Sequence, residues 1–233
     1  MTKLFAASGL EKSEVGEMHQ LANSMGLFLQ KTNIIRDYLE DNLQRREFWP
    51  REVWSKFALE LKEFRDPEKN ESAVYCMNIL ITNALKHVTD VIQFMSSVTN
   101  QTVFNFCAIP QTMAIATLAL CYNNKDVFNG VVKIRKGEAV QLIMQSTNID
   151  SVRQIVAYYS KQILHKIDRK DPSSEETRHI VQHIIITCGE NIHDNSLVSP
   201  YSLLQQYKAP LLSTAALIAL SYVYWYTGQV VSV

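Results

Sequence analysis

Gln30-Lys-Thr-Asn33-Ile-Ile-Arg36-Asp37-Tyr-Leu-Glu40-Asp41 is the stretch on which the reading of this chain turns. It contains no glycine or proline, so it predicts a helix. At 100° per residue, Gln30, Asn33, Asp37 and Asp41 fall within an arc of about 80° on one face. Two carboxylates and two amide oxygens therefore stand in a column, with Arg36 and Glu40 at its flanks. Phe28, Leu29, Ile34 and Ile35 surround that column. Hard oxygen donors in a row suit Mg²⁺, which takes carboxylates, waters and substrate phosphates. The plainer alternative is a solvated acidic pair closing a helix. The aligned amides and apolar flanks favour the metal.

The same helical spacing extends outward in both directions. Leu21, Met25, Phe28, Leu29, Ile34, Ile35 and Leu39 carry one helix through Met18 to Asp41, interrupted only by Gly26. Phe48 and Trp49 are expected to clamp a connector onto the core, and Pro50 suits the first turn of the next helix. A stripe of Val74, Met77, Leu80, Ile81, Leu85, Val88, Ile92 and Met95 predicts one long helix over Glu71–Val98. Further helical patterns run through Asp126–Thr147 and Val152–Asp168. Asp171-Pro-Ser-Ser174 reads as a turn with a helix N-cap, followed by Glu175 and Glu176 in the first turn. With no Asn-Gly hairpin, no repeat and no sustained alternation, the class is all-α.

Composition agrees. Of 233 residues only 7 are Gly and 6 Pro, too few for the frequent turns of an all-β fold. Lys plus Arg is 23 and Asp plus Glu is 23, so there is no basic field for nucleic acid. The four cysteines, Cys76, Cys107, Cys121 and Cys188, form no CxxC pair; three lie in apolar helical stretches and read as buried thiols in a reducing compartment. None of the six histidines is assigned to metal or catalysis.

Two uncharged runs need separate readings. After Lys208 no charge appears through Val233, a run of 25 residues. As a helix, Leu211–Gly228 would span roughly 27 Å, close to a bilayer core. Tyr222, Tyr224, Trp225 and Tyr226 gather at one end, as interfacial aromatics do. The expected organisation is a helical domain over 1–207 and a membrane anchor over 208–233, with a buried C-terminal helix as the alternative. The run Val91–Asn124 is longer, but Gln93, Asn100, Gln101, Asn105, Pro110 and Gln111 fit lipid poorly. A buried helix pair lining an internal cavity explains it better.

Asn33-Ile-Ile-Arg-Asp37-Tyr-Leu-Glu-Asp41, within Met25–Asn33 and beyond, closely resembles the second aspartate-rich motif of the squalene synthases. The resemblance continues through Phe48-Trp-Pro-Arg-Glu-Val-Trp54, Thr82-Asn-Ala-Leu85, Val103-Phe-Asn-Phe-Cys-Ala-Ile-Pro-Gln111, Met113–Leu118, Cys121-Tyr-Asn-Asn124 and Val132-Lys-Ile-Arg-Lys-Gly137. These blocks keep the family's order and spacing, and with the anchor they cover nearly the whole chain. The resemblance implies a helical bundle of the isoprenoid synthase type.

It also implies a reaction. Two farnesyl diphosphates condense head to head to presqualene diphosphate, which is rearranged and reduced by NADPH to squalene, in sterol biosynthesis at the endoplasmic reticulum membrane. By this resemblance Mg²⁺ is held by Asp37 and Asp41, with Gln30, Asn33 and Glu40 nearby, and neutralises a departing diphosphate. Arg36, Lys133 and Arg135 match cofactor- or phosphate-contacting positions. Phe104, Phe106 and Cys107 match the reaction cavity, where ring faces stabilise a carbocation without offering a base. On pattern alone the two Phe residues read as core and the cations as a solvated cluster.

One departure is plain. The family's N-terminal half, with its first aspartate-rich motif, has no counterpart here, and no second acidic helix face occurs. The chain is expected to be a fragment, a short isoform or a gene model started at an internal methionine, inactive alone. Two other readings stay open: a non-catalytic, membrane-tethered helical fragment, and a phytoene synthase-like prenyl transferase that works without NADPH.

Overall fold

A computed structural model describes residues 2–191, so the expected anchor over 208–233 lies outside the described residues. Among the described residues there are helices and turns and no strand, as the periodicity predicts. In chain order they are α1 (Thr2–Ala7), α2 (Ser13–Glu17), α3 (His19–Arg36), α4 (Tyr38–Leu43), α5 (Arg51–Trp54), α6 (Asn70–Leu85), α7 (Val88–Ser97), α8 (Gln101–Cys121), α9 (Lys136–Gln145), α10 (Ile149–Lys166) and α11 (Ser174–Thr187). Short 3₁₀ turns occupy Leu61–Arg65, Pro67–Lys69 and Lys125–Phe128.

The central element is α3, which packs against α6, α7 and α8; α8 in turn meets α9 and α10, and α10 packs on α11. The start of α8 is held twice. Asn100 Oδ1 accepts from the N–H groups of Thr102 and Val103, and the buried Glu11 carboxylate accepts from the N–H groups of Thr99 and Asn100. That places negative charge at a helix N-terminus, where the backbone dipoles favour it. The α8 helix is long and apolar enough to cross a membrane, yet two thirds of its most apolar window is buried inside the protein. Together α7 and α8 account for the run Val91–Asn124 as two core helices.

Five expectations change. The helix expected over Met18–Asp41 ends at Arg36 and restarts at Tyr38, with Asp37 at φ −88° and ψ 13°. The i to i−4 bonds Asp37 N–H to Asn33 O and Asp41 N–H to Asp37 O are kept, each at 2.9 Å. The redirection carries Tyr38 into an aromatic cluster with Trp49, Phe64 and Phe128, where its hydroxyl donates to Leu61 O at 2.7 Å.

The long helix expected over Glu71–Val98 breaks at Lys86-His87. There the His87 N–H bonds Ala84 O, three residues back, at 3.1 Å. The break brings His87 and Asp90 to α3: His87 Nε2 lies 2.7 Å from Lys31 Nζ, and the Ser24 hydroxyl donates to Asp90 at 2.5 Å. Burial and the neighbouring Lys31 charge hold the His87 pKa below its usual value.

Within 126–147 only Lys136–Gln145 is an α-helix, preceded by a 3₁₀ turn and an irregular stretch. Finally, Phe48 stays 52% exposed beside the Arg46 guanidinium, and Trp49 alone clamps the connector, buried with its ring N–H on Ile34 O at 3.0 Å. The 171–174 turn forms as read, but Ser173 does not cap α11 with its side chain; its hydroxyl donates to Asp171.

Candidate active site

The site lies where α3 and α8 face each other and the 133–139 segment closes over them. On that face α3 presents Leu29, Thr32, Asn33 and Arg36, and α8 presents Pro110, Met113, Ala114 and Thr117. Lys133, Ile134, Lys136 and Ala139 complete the wall of a cleft of about 430 Å³. Three cations, Arg36, Lys133 and Lys136, thus share one cleft with the Asn33 amide. A group of anionic oxygens fits such a wall, with Arg36 supplying a planar fork and the lysines point charges.

Leu29 and Pro110 belong also to a second cavity of about 350 Å³, so the two spaces adjoin along α3 and α8. Its wall is almost wholly apolar: Phe5, Met25, Leu29, Phe94, Phe106 and Cys107 are among its residues. Phe106 is 55% exposed and meets the edge of the Phe5 ring, with centroids 6.2 Å apart. An exposed Phe on an otherwise buried helix is a cavity-wall residue rather than core packing. Phe104, two residues back and about 200° round the helix, is 6% exposed and does not reach this wall. Burial pushes the Cys107 thiol up to about 11, so it stays protonated and presents a neutral sulfur.

The carboxylates stand beside the cleft with partners of their own. Both oxygens of Asp37 are taken by Arg36, Nε to Oδ1 and Nη2 to Oδ2, each at 2.7 Å. This bidentate bond holds the Arg36 pKa above its usual value despite partial burial. Asp41 is buried, and its Oδ1 receives Arg46 Nη2 at 2.7 Å and Nε at 3.1 Å. Glu40 lies 3.4 Å from Lys133 Nζ. Gln30 and Asn33 are exposed. Among the described residues no three acidic, His or Cys side chains converge on one point.

The donor types nevertheless suit Mg²⁺, which commonly takes one or two carboxylates and fills its shell with phosphate oxygens and water. Asp37 and Asp41 offer hard oxygens of that kind, each now neutralised by an arginine. For the phosphates of a nicotinamide cofactor, Arg36, Lys133 and Lys136 are the fitting groups. Arg135 is exposed and off the cleft wall. Lys136 stands on the wall in its place, and sequence reasoning passed over it although it sits in the same cationic stretch. Its contribution depends on α9 starting at that residue, a boundary the pattern did not place.

The family model for squalene/phytoene synthase matches residues 1–138. The chain belongs to the squalene/phytoene synthase family. Within it, the chain is 58% identical over 184 residues to the human squalene synthase, covering 79% of this chain and 44% of that one. The squalene synthase of Dictyostelium discoideum is 44% identical over 194 residues, covering 82% of this chain and 47% of its own length. Among solved structures, the complex of TcSQS with the ligand BPH1237 superposes with a TM-score of 0.78 at 39% identity. It covers 81% of this chain and 56% of the solved one. The isoprenoid synthase type of helical fold follows from these matches. The chain spans about half the length of the squalene synthases it resembles.

Proposed function

We propose that this chain supplies one wall of a squalene synthase reaction chamber: the second aspartate-rich face, the cationic cleft and the isoprenoid pocket. The observation that carries the reading is the adjacency of the two cavities through Leu29 and Pro110. One is walled by Arg36, Lys133 and Lys136, the other by Met25, Phe106 and Cys107. A prenyl diphosphate has that polarity, a charged head on an apolar chain. The substrate is farnesyl diphosphate and the intermediate presqualene diphosphate.

In this reading Arg36 and Lys136 hold diphosphate oxygens, while the apolar wall orders the isoprenoid chain and excludes water. Phe106 offers a ring face to developing positive charge. Cys107, protonated at any physiological pH, gives no base that would quench a cation. Asp37 and Asp41 would hold Mg²⁺, which when bound assists departure of the diphosphate. Arg36, Lys133 and Lys136 would also meet the phosphates of NADPH, the hydride source for squalene. The uncharged run ending at Val233 tethers the protein to the endoplasmic reticulum membrane, with the helical portion on the cytosolic side.

The test joins this chain to the N-terminal half of the human relative and supplies radiolabelled farnesyl diphosphate with Mg²⁺. Presqualene diphosphate accumulating without NADPH, and squalene appearing with it, is the expected result. Condensed product that ignores NADPH would favour the phytoene synthase-like reading. Failure to consume substrate at all would favour a non-catalytic fragment.

A further inference from the structure

One polar side chain on the apolar wall is out of place. Gln111 is 2% exposed and lines the cavity shared by Phe106, Cys107 and Pro110. Its Nε2 donates to Met25 O across a long 3.4 Å, while its Oε1 is buried without any hydrogen-bond partner. An unsatisfied buried acceptor destabilises the resting protein. The wall thus carries a buried, unpaired acceptor beside an aromatic ring and no cationic side chain.

A neutral isoprenoid chain carries no hydrogen-bond donor and cannot satisfy this oxygen. A carbocation can, through the negative end of the amide carbonyl dipole. An interaction absent in the ground state and present once charge develops lowers the barrier rather than tightening substrate binding. We infer that Gln111 is a catalytic residue of the reaction proposed above, its amide oxygen stabilising the carbocation formed in the Phe106–Gln111 pocket. The inference rests on that reading of the cavity. Gln111 adds a dipole to the ring face of Phe106 and, being an amide, accepts no proton from the cation.

The test uses the complete 233-residue chain and a matched pair of probes. One is N,N-dimethylfarnesylamine, protonated at neutral pH; the other is its neutral hydrocarbon isostere with carbon in place of nitrogen. Affinities are read by titration calorimetry for the native chain and for Gln111→Met, which keeps length and removes the acceptor. The native chain should favour the ammonium probe, and Gln111→Met should lose that preference about tenfold or more while binding the neutral probe unchanged. Gln111→Glu keeps an oxygen acceptor and should retain or increase the preference. Removing the orphaned oxygen should leave the Tm of Gln111→Met unchanged or raised. A residue that merely holds α8 against Met25 would instead lower Tm and weaken both probes together, and that result overturns the proposal. Equal binding of both probes by the native chain also overturns it, leaving the apolar pocket intact as a reading. If neither probe binds the native chain, the pocket assignment itself falls and takes this proposal with it.

Discussion

In the proposed reaction Asp37 and Phe106 act by different physics, and their replacements should fail differently. In the joined enzyme, Asp37→Asn keeps shape but removes a charge that balances Arg36 and would hold Mg²⁺. Loss of several kcal/mol from the first condensation corresponds to a rate decrease of about a thousandfold or more. Phe106→Leu keeps apolar volume and removes the ring face, worth about 0.5–2 kcal/mol, so roughly threefold to thirtyfold is expected. That loss should fall mainly on the later rearrangement. Separate quantification of presqualene diphosphate and squalene distinguishes the two; equal severity on the first step would contradict the assignment. Cys107 gives a pH-dependent outcome on the chain as it stands. With its thiol pushed up to about 11, the thiolate fraction at pH 8 is about one in a thousand. Iodoacetamide followed by mass spectrometry should leave Cys107 unlabelled at pH 8 and label it only as the pH nears 11. Rapid labelling at pH 7.5 would mean that the sulfur is neither buried nor apolar in its surroundings.

Among the elements, the turn before α11 is densely tied. Buried Asp171 accepts from Asn78 Nδ2 on α6 at 2.6 Å through Oδ2, and from the Ser173 N–H and hydroxyl at 2.7 and 2.8 Å through Oδ1. Asn78 Oδ1 in turn accepts from the Asn123 N–H at 3.0 Å, where the backbone sits at φ +53° after the end of α8. One carboxylate thus couples α6, the end of α8 and the start of α11. Asp171→Ala strands several buried donors at once and should cost about 3 kcal/mol or more, read as a lower urea midpoint. A change within 0.5 kcal/mol would show that water replaces the carboxylate. At the same scale lies the main error of periodic reading. The stripe from Val74 to Met95 is continuous in sequence, and the backbone at Lys86 and His87 stays in the right-handed helical region. What breaks the helix is the polar link from His87 and Asp90 to Lys31 and Ser24 on α3, more than fifty residues away.

For the whole molecule, one proposed metal-binding face stands among the described residues where the proposed chemistry needs two facing each other across the diphosphates. The 233-residue chain, purified alone with radiolabelled farnesyl diphosphate, Mg²⁺ and NADPH, should therefore form little or no squalene. Robust turnover would refute the need for a second face. The tether is tested independently: deleting 211–233 should release the chain from a carbonate-washed membrane pellet, because α8, the apolar helix among the described residues, is spent in the core. If the shortened chain stays in the pellet, α8 must be engaging lipid.

Sequence by itself determined the helical class and the buried state of Cys76, Cys107 and Cys121. It also separated the amide-rich run 91–124 from a membrane span. Each of these depends on residues within a turn or two of one another, or on composition, and both are written in the chain. Tertiary structure decided the rest. Asp37 became a joint because Tyr38 is drawn into a cluster with Trp49, Phe64 and Phe128. Phe106 reached the cavity wall while Phe104 went to the core. Lys136 reached the cleft while Arg135 turned to solvent, and Gln111 was left with an unanswered oxygen. Those outcomes depend on which distant helix lies opposite a given side chain, and helical periodicity gives a residue's angle about its own axis without saying what occupies the other side.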